Sequence, residues 1–487
     1  MEAGRIQWIK LKKEGSQTFN LHNWKIGAIL GGIIIAKWID GIYALVWGAP
    51  TLLLILGTGI VLSYQTRFAQ LRLLPLACRE FFGKLTGKTA SGEGISSFQA
   101  LCTALAATVG IGNLAGVAGA IALGGPGAIF WMWVCALLGM VVKFAEATLA
   151  VHYRRKGSDG QWIGGPMYMF ENGMGHRWKL LASVYCFFGV VAAFGVGNAT
   201  QVNALIGGIR EAASSMGAEL SPKWNYILGL ALAALIGTVL LGGAKRIAGT
   251  AELLIPFAAG GYLVLCVIAL FLRRQVLADA FMAILEGAFS PGAVTGGLVG
   301  SVFTALRTGV SRGVFTNEAG MGTASIAHAG AEVDHPVRQG LMGIMEVFLD
   351  TIVICTMTAL VILCSGVPIQ YGTDAGAALT SRAFCAIFGD WAGVAIAAAL
   401  CLFAFATILG WGMYGARCAE YLFGDGMWRK FALLQMIAVV LGAALNTAML
   451  WRAAEIVNGL MAIPNLIALW VLSPKIKQLL QEFYCGR

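Results

Sequence analysis

Apolar runs separated by short polar and basic connections dominate the chain. They fall at about 42–64, 98–123, 127–152, 182–207, 225–243, 251–272, 296–327, 340–364, 391–416, 431–449 and 453–472. Each comes close to or exceeds the ~20 residues with which a helix crosses the hydrocarbon of a bilayer. The pattern predicts an all-α, polytopic membrane protein with about eleven transmembrane helices. A membrane barrel would show shorter segments of strictly alternating hydrophobicity instead. The stretch "KIGAILGGIIIAKW", Lys25–Trp38, has an apolar core too short to span. It is expected to lie in the interface or append to the bundle, with an extra crossing as the alternative.

Two of the runs contain residues that weaken a helix. "TALAATVGIGNLAGVAGAIALGG", Thr103 to Gly125, carries Gly110, Gly112, Gly116 and Gly119 around the amide of Asn113. Glycine is a poor residue for a helix interior. "GGLVGSVFTALRTGVSRGVFTNEAGMGTASIAHA", Gly296 to Ala329, is interrupted by Gly309, Gly313, Gly320 and Gly322. With the first span set aside, ten remain, and these two runs open the first and second sets of five. Five is odd, so the two sets run in opposite senses through the membrane. Paired broken helices at matching positions point to an inverted-repeat transporter with its site at the midplane. The organisation expected is an N-terminal extension over 1–39 and an additional transmembrane helix over 40–66. A cytoplasmic linker follows over 67–97, then a first repeat over 98–272, a second over 276–472 and a cytoplasmic tail over 473–487.

Composition agrees with this picture and removes others. Of the 487 residues, 58% are hydrophobic and 12% are charged, and no soluble domain of this length reads that way. The formal charge of +10 collects in connections such as "YRRKG" at Tyr153–Gly157 and "AKRIA" at Ala244–Ala248. Basic residues mark cytoplasmic loops, which places the C-terminus in the cytoplasm and the protein in the cell (inner) membrane. The basic N-terminus conflicts with this orientation unless a twelfth crossing precedes the first run. The eleven cysteines are scattered singly, without a CxxC motif, and read as small packing residues.

The unwound stretches are where chemistry is expected. Unwinding frees backbone N–H and C=O groups, which are tolerable at membrane depth only when they line a cavity. The half-helix after Asn113 would present its positive end to an anion such as a carboxylate. In the second break, "VFTNEAG", Asn317 and the backbone of Phe315–Thr316 are candidate pocket groups, and Glu318 is expected to be neutralised by Arg307 or Arg312. Lys143 and Glu146, and Glu346 and Asp350, lie three and four apart and are expected to pair structurally or to snorkel. Thr407 and Trp411 are four apart and share one helix face.

Several longer motifs in order carry a resemblance. "GGPGAIFWMWVCALLGM" at Gly124–Met140 resembles the signature of the alanine/glycine:cation symporters, the sodium:alanine symporter family. "VGIGNLAGVAGAIALGG", "KFAEATLAVHYR", "GGPMYMFENGMG", "FGVGNATQVNAL", "GVFTNEAGMGTASIAHA" and "ATILGWGMYGARCAEYLFG" continue the match. The likeness implies a leucine-transporter-like fold with a five-plus-five inverted repeat. It implies sodium-coupled symport of small neutral amino acids, alanine and glycine, by alternating access. It also implies substrate contacts at Asn113, Gln201, Thr407 and Trp411, beside Gly112, Phe315 and Asn317 from the breaks. Ile111 and Gly119 depart from the family, which usually has threonine at both positions. An aliphatic side chain cannot ligate sodium, so the ion is expected on backbone carbonyls around Val109 and Gly112 and on the Thr407 hydroxyl.

Rival classes lack their motifs. "GKLTGKT" at Gly83–Thr89 has three residues between its glycines where a phosphate loop has four. The five histidines form no HExxH and no metal-ligand spacing, so neither an enzyme nor an organic cofactor is expected. The expected partners are a small amino acid, sodium and the bilayer, without nucleic acid. The alternative is a proton-coupled amino-acid transporter of the same fold.

Overall fold

The computed structural model describes residues 38–486 except 40, 44, 87–93, 216, 222, 300, 374–375 and 444–447. The expectations for the extension, including most of Lys25–Trp38, lie outside the described residues. Helix α1 (Ala49–Gln65) precedes the core and α2 (Leu74–Thr86) lies in the expected linker. The first set follows as α3 (Ser97–Thr108), α4 (Ala115–Gly124), α5 (Gly127–His152), α6 (Lys179–Phe194), α7 (Thr200–Ser215), α8 (Lys223–Leu240) and α9 (Gly243–Leu272). A surface helix, α10 (Leu277–Phe289), joins it to the second set. That set contains α11 (Val302–Asn317), α12 (Thr323–Ala329), α13 (Pro336–Val347), α14 (Thr356–Cys364), α15 (Gly376–Phe388), α16 (Trp391–Phe423), α17 (Met427–Gly442) and α18 (Ala448–Cys485).

Seven continuous helical stretches are long and apolar enough to cross a membrane, and the bent pair α3–α4 makes an eighth. Of the other expected spans, α1 and α17 are shorter, at 17 and 16 residues, and α11–α12 is interrupted. The last helix continues to Cys485, so the segment expected as a tail from 473 is largely its final turns.

Both breaks have local causes. Helix α3 starts on a capping box, in which Ser96 Oγ accepts from Gln99 N at 3.1 Å and Gln99 Oε1 accepts from Ser96 N at 2.9 Å. It ends at Val109. A single 3₁₀ turn, Ile111–Asn113, then redirects the chain by 61° into α4. The second break lies at residues 318–322, where Glu318 is left-handed at φ 54° and Gly320 and Gly322 at φ 93° and 76°. Glycine tolerates that region; Glu318 occupies it because its surroundings hold it there. Gly309 and Gly313 do not take part. They lie inside intact α11, where a Cβ at Gly309 would run into Ala128 and Trp131, and one at Gly313 would sit 3.2 Å from Cys135 Cβ. These two glycines let α11 pack closely on α5.

The broken helices are flanked by α5 and α13, the second helices of the two sets, which pack along each other. Helix α16 packs against α6 and α7. Two of these elements carry π-helical stretches, Gly195–Ala199 between α6 and α7, and Phe348–Cys355 between α13 and α14. A π-bulge rotates the residues around it out of the α-helical register and is frequent at functional sites.

Candidate functional site at the two broken helices

The two breaks meet. A Cβ added to Gly112 would lie 3.2 Å from Thr316 Cγ2 and 3.6 Å from Phe315 Cδ1. One added to Gly110 would lie 2.7 Å from Thr407 Oγ1 and 3.7 Å from Gln201 Oε1. Gly112, Phe315, Gln201 and Thr407 thus surround one unwound turn, with Val109 at its start. Gln201 Nε2 donates to Val196 O in the π-helical stretch at 3.1 Å, which turns Oε1 toward the break. That oxygen is buried without a hydrogen-bond partner. Buried polar atoms are nearly always satisfied, so this orphan marks a place for a donor from a solute. Thr407 Oγ1 donates to Phe403 O at 2.9 Å and keeps its lone pairs. Gln201 and Thr407 are 4% and 2% exposed, so admission of a solute requires the surrounding helices to move.

Other expected pocket residues are held by protein groups. Asn113 Oδ1 accepts from Gly110 N at 2.9 Å, and Nδ2 donates to Asp350 Oδ1 at 2.7 Å. Asn113 therefore closes the 3₁₀ turn and ties it to the π-helical stretch beyond α13. Asn317 Oδ1 accepts from Ala319 N at 3.0 Å and Nδ2 donates to Thr351 Oγ1 at 3.2 Å. Trp411 is fully buried; its indole N–H donates to Glu318 Oε1 at 2.9 Å, and its ring fills the space beside Gly197. Ile111 is buried at the start of the turn.

The charges differ from the expected pairing. Glu318 is not neutralised by Arg307 or Arg312. Arg312 pairs with Glu455 at 3.4 Å, whereas Glu318 accepts from Trp411 and from Thr323 Oγ1 at 2.6 Å. Its left-handed backbone points the side chain across the break instead of back along α11. Lys143 does not snorkel: it is buried and pairs with Glu346 at 3.0 Å, joining α5 to α13. Glu146 Oε1 accepts from Gly320 N at 3.0 Å, Gly322 N at 3.1 Å and Asn465 Nδ2 at 2.7 Å. The second helix of each set thus supplies a carboxylate to the broken helix of the other: Glu146 to the second break, Asp350 to the first. Sequence reasoning missed this arrangement, although the buried acids three and four residues from Lys143 and Glu346 were its signal.

The largest recess, of about 560 Å³, lies elsewhere, among the ends of α5, α8 and α16. Arg155, Arg417 and Arg429 line it together with Asp159, Glu420 and Asp425, and it shares no residue with the breaks. Among the described residues no group of three or more His, Cys, Asp or Glu is arranged to hold a metal ion.

Comparisons with known proteins converge on one assignment. The profile of the sodium:alanine symporter family matches residues 33–486. The sodium/alanine symporter AgcS of Methanococcus maripaludis is 43% identical over 439 residues, covering 89% of this chain and 94% of its own. An uncharacterized transporter of Haemophilus influenzae is 44% identical over 442 residues, covering 89% and 93%. The probable sodium/glutamine symporter GlnT of Bacillus subtilis is 36% identical over 445 residues, covering 90% and 88%. Among solved structures, MhsT in complex with L-phenylalanine superposes with a TM-score of 0.57 at 14% identity, over 82% of this chain and 99% of that one. That likeness gives the fold, a leucine-transporter-like bundle.

Proposed function

Because the chain belongs to the sodium:alanine symporter family, we propose that it carries small neutral amino acids, alanine and glycine, into the cell by sodium-coupled symport. The carrier works by alternating access around the junction of the two breaks. The observation that carries the reading is the unpartnered Gln201 oxygen facing an unwound turn beside the Thr407 hydroxyl. A substrate ammonium is a donor of the kind that oxygen lacks, and free backbone N–H groups suit a carboxylate. Gly112, Asn113, Gln201, Phe315, Asn317, Thr407 and Trp411 form the substrate site. Carbonyls at Val109 and Gly112 and the Thr407 hydroxyl hold sodium, a hard cation that takes oxygen ligands. The large rings of Phe315 and Trp411 favour a small side chain over one the size of glutamine.

Radiolabelled alanine uptake into proteoliposomes tests this. Uptake is expected to concentrate alanine when a sodium gradient is imposed and to stop when it is dissipated. Gln201→Ala strands the donor side of the site, and its alanine affinity is expected to fall by about 5- to 150-fold, for about 1–3 kcal/mol. Thr407→Val is expected to raise the sodium requirement more than Ile111→Thr changes it. Uptake that follows a proton gradient at fixed sodium would instead select the proton-coupled alternative. For orientation, Cys485 is exposed at the end of α18. An impermeant thiol reagent should label it in inverted vesicles, and the label should vanish in Cys485→Ser; labelling in right-side-out vesicles would reverse the assigned topology.

A further inference from the structure

Four acids lie buried around the breaks: Glu146, Glu318, Glu346 and Asp350. Lys143 is committed to Glu346. None of the ion pairs among the described residues includes Glu146, Glu318 or Asp350. An ionised carboxylate without a counter-charge is costly in such surroundings. The three differ in what faces them. Glu146 receives three N–H groups, whose positive ends repel a cation. Glu318 receives an indole N–H and one hydroxyl. Asp350 stands against oxygens. Thr351 Oγ1 lies 2.8 Å from Asp350 Oδ2 and 3.4 Å from Thr316 Oγ1. The Asp350 backbone carbonyl faces the same side, 3.2 Å from Asn113 Nδ2.

We propose that Asp350 binds a sodium ion, with the hydroxyls of Thr351 and Thr316 as further ligands, at a site separate from Val109, Gly112 and Thr407. This rests on the reading of the protein as a sodium-coupled carrier. Oxygens about 3.4 Å apart match the edge of an octahedron with metal–oxygen bonds of about 2.4 Å, the range of hard-cation sites. Thr316 belongs to the second broken helix, and Asp350 holds the first through Asn113. An ion between Asp350 and Thr316 draws the two breaks together and supplies the positive charge that the pocket lacks. Sodium and substrate then favour the same closed arrangement, which is the reciprocal coupling a symporter requires.

The test is sodium activation of alanine uptake by the full-length carrier in proteoliposomes, with folding checked by thermal unfolding in detergent. Asp350→Asn keeps an oxygen toward Asn113 and removes the charge. Its half-activating sodium concentration is expected to rise by at least about tenfold, a loss of at least about 1.4 kcal/mol. Thr316→Val keeps the methyl group against Gly112 and removes only the hydroxyl; a rise of about threefold or more is expected. It decides the matter if Asp350→Asn fails to fold. Unchanged sodium activation in a folded Asp350→Asn protein, or in Thr316→Val when that variant decides, overturns the site and leaves the symport reading standing. Wild-type uptake indifferent to sodium overturns both. Loss of pH dependence in Asp350→Asn with sodium activation intact would make Asp350 a proton carrier and overturn the sodium site.

Discussion

Lys143→Met is expected to leave little folded carrier. Lysine and methionine have similar lengths, so the substitution opens almost no cavity and its effect is electrostatic. Lys143 Nζ lies 3.0 Å from Glu346 Oε1, and both side chains are buried. Glu346 Oε2 is met by His328 Nε2 at 2.9 Å. Ser97 Oγ donates to Gln339 Oε1 at 2.6 Å, and Gln339 Nε2 lies 2.7 Å from His328 Nδ1. An amide nitrogen only donates, so Nδ1 accepts and Nε2 carries the proton that reaches Glu346. The imidazole in this arrangement is neutral. Removing Lys143 leaves the Glu346 anion in the interior with one neutral donor. Breaking a buried pair from one side costs about 3–5 kcal/mol, whereas removing both charges is often close to neutral. Thermal unfolding in detergent should therefore show a large loss for Lys143→Met and recovery of most of it in Lys143→Met/Glu346→Gln. Wild-type stability in the single variant would show that the pair does not anchor α5 to α13.

Glu146 separates charge from hydrogen bonding. All three of its donors converge on Oε1, while Oε2 is buried and has no partner. In Glu146→Ala, Gly320 N, Gly322 N and Asn465 Nδ2 lose their acceptor. Each stranded buried donor costs about 1–3 kcal/mol, and the turn that carries Gly320 and Gly322 loses its tether. Uptake is expected to be abolished and folded yield to fall sharply. In Glu146→Gln the amide oxygen takes the place of Oε1, and the –NH₂ group takes the place of the unpartnered Oε2. That variant is expected to fold and to retain most of its uptake. If Glu146→Gln is as damaged as Glu146→Ala, the negative charge itself is needed at the second break.

These two acids also show where sequence reading stops. The first break was legible, because Gly110, Gly112 and Asn113 crowd into four positions of an otherwise apolar run. The second was legible only as a region. Gly309 and Gly313 serve packing, Gly320 and Gly322 serve backbone conformation, and one letter encodes both uses. The partners of Glu146 lie 174 to 319 positions away in the chain, so no local pattern reports them. Lys143–Glu346 was expected as two separate neighbouring pairs for the same reason. Gln201, Phe315 and Thr407 come together around Gly110 and Gly112, while Asn113, Asn317 and Trp411 are engaged by Asp350, Thr351 and Glu318. Their neighbours depend in part on π-helical stretches that shift the 3.6-residue register on which face assignments rely.

The exchange of carboxylates between the halves makes each half an incomplete object. A fragment ending near Phe289 would contain the first unwound turn without Asp350, and Glu146 without the glycine N–H groups it caps. A fragment beginning near Pro291 would have the converse defects. Neither piece can satisfy its own buried polar groups, so each alone is a substrate for quality-control proteolysis. Produced together, they hold matching ends of the same contacts and have reason to reassemble into a working carrier. Chimeras built by swapping whole halves between relatives obey the same constraint. A junction near residue 290 is tolerated when the incoming half brings a carboxylate for the foreign break and an acid opposite Lys143, whatever its overall similarity.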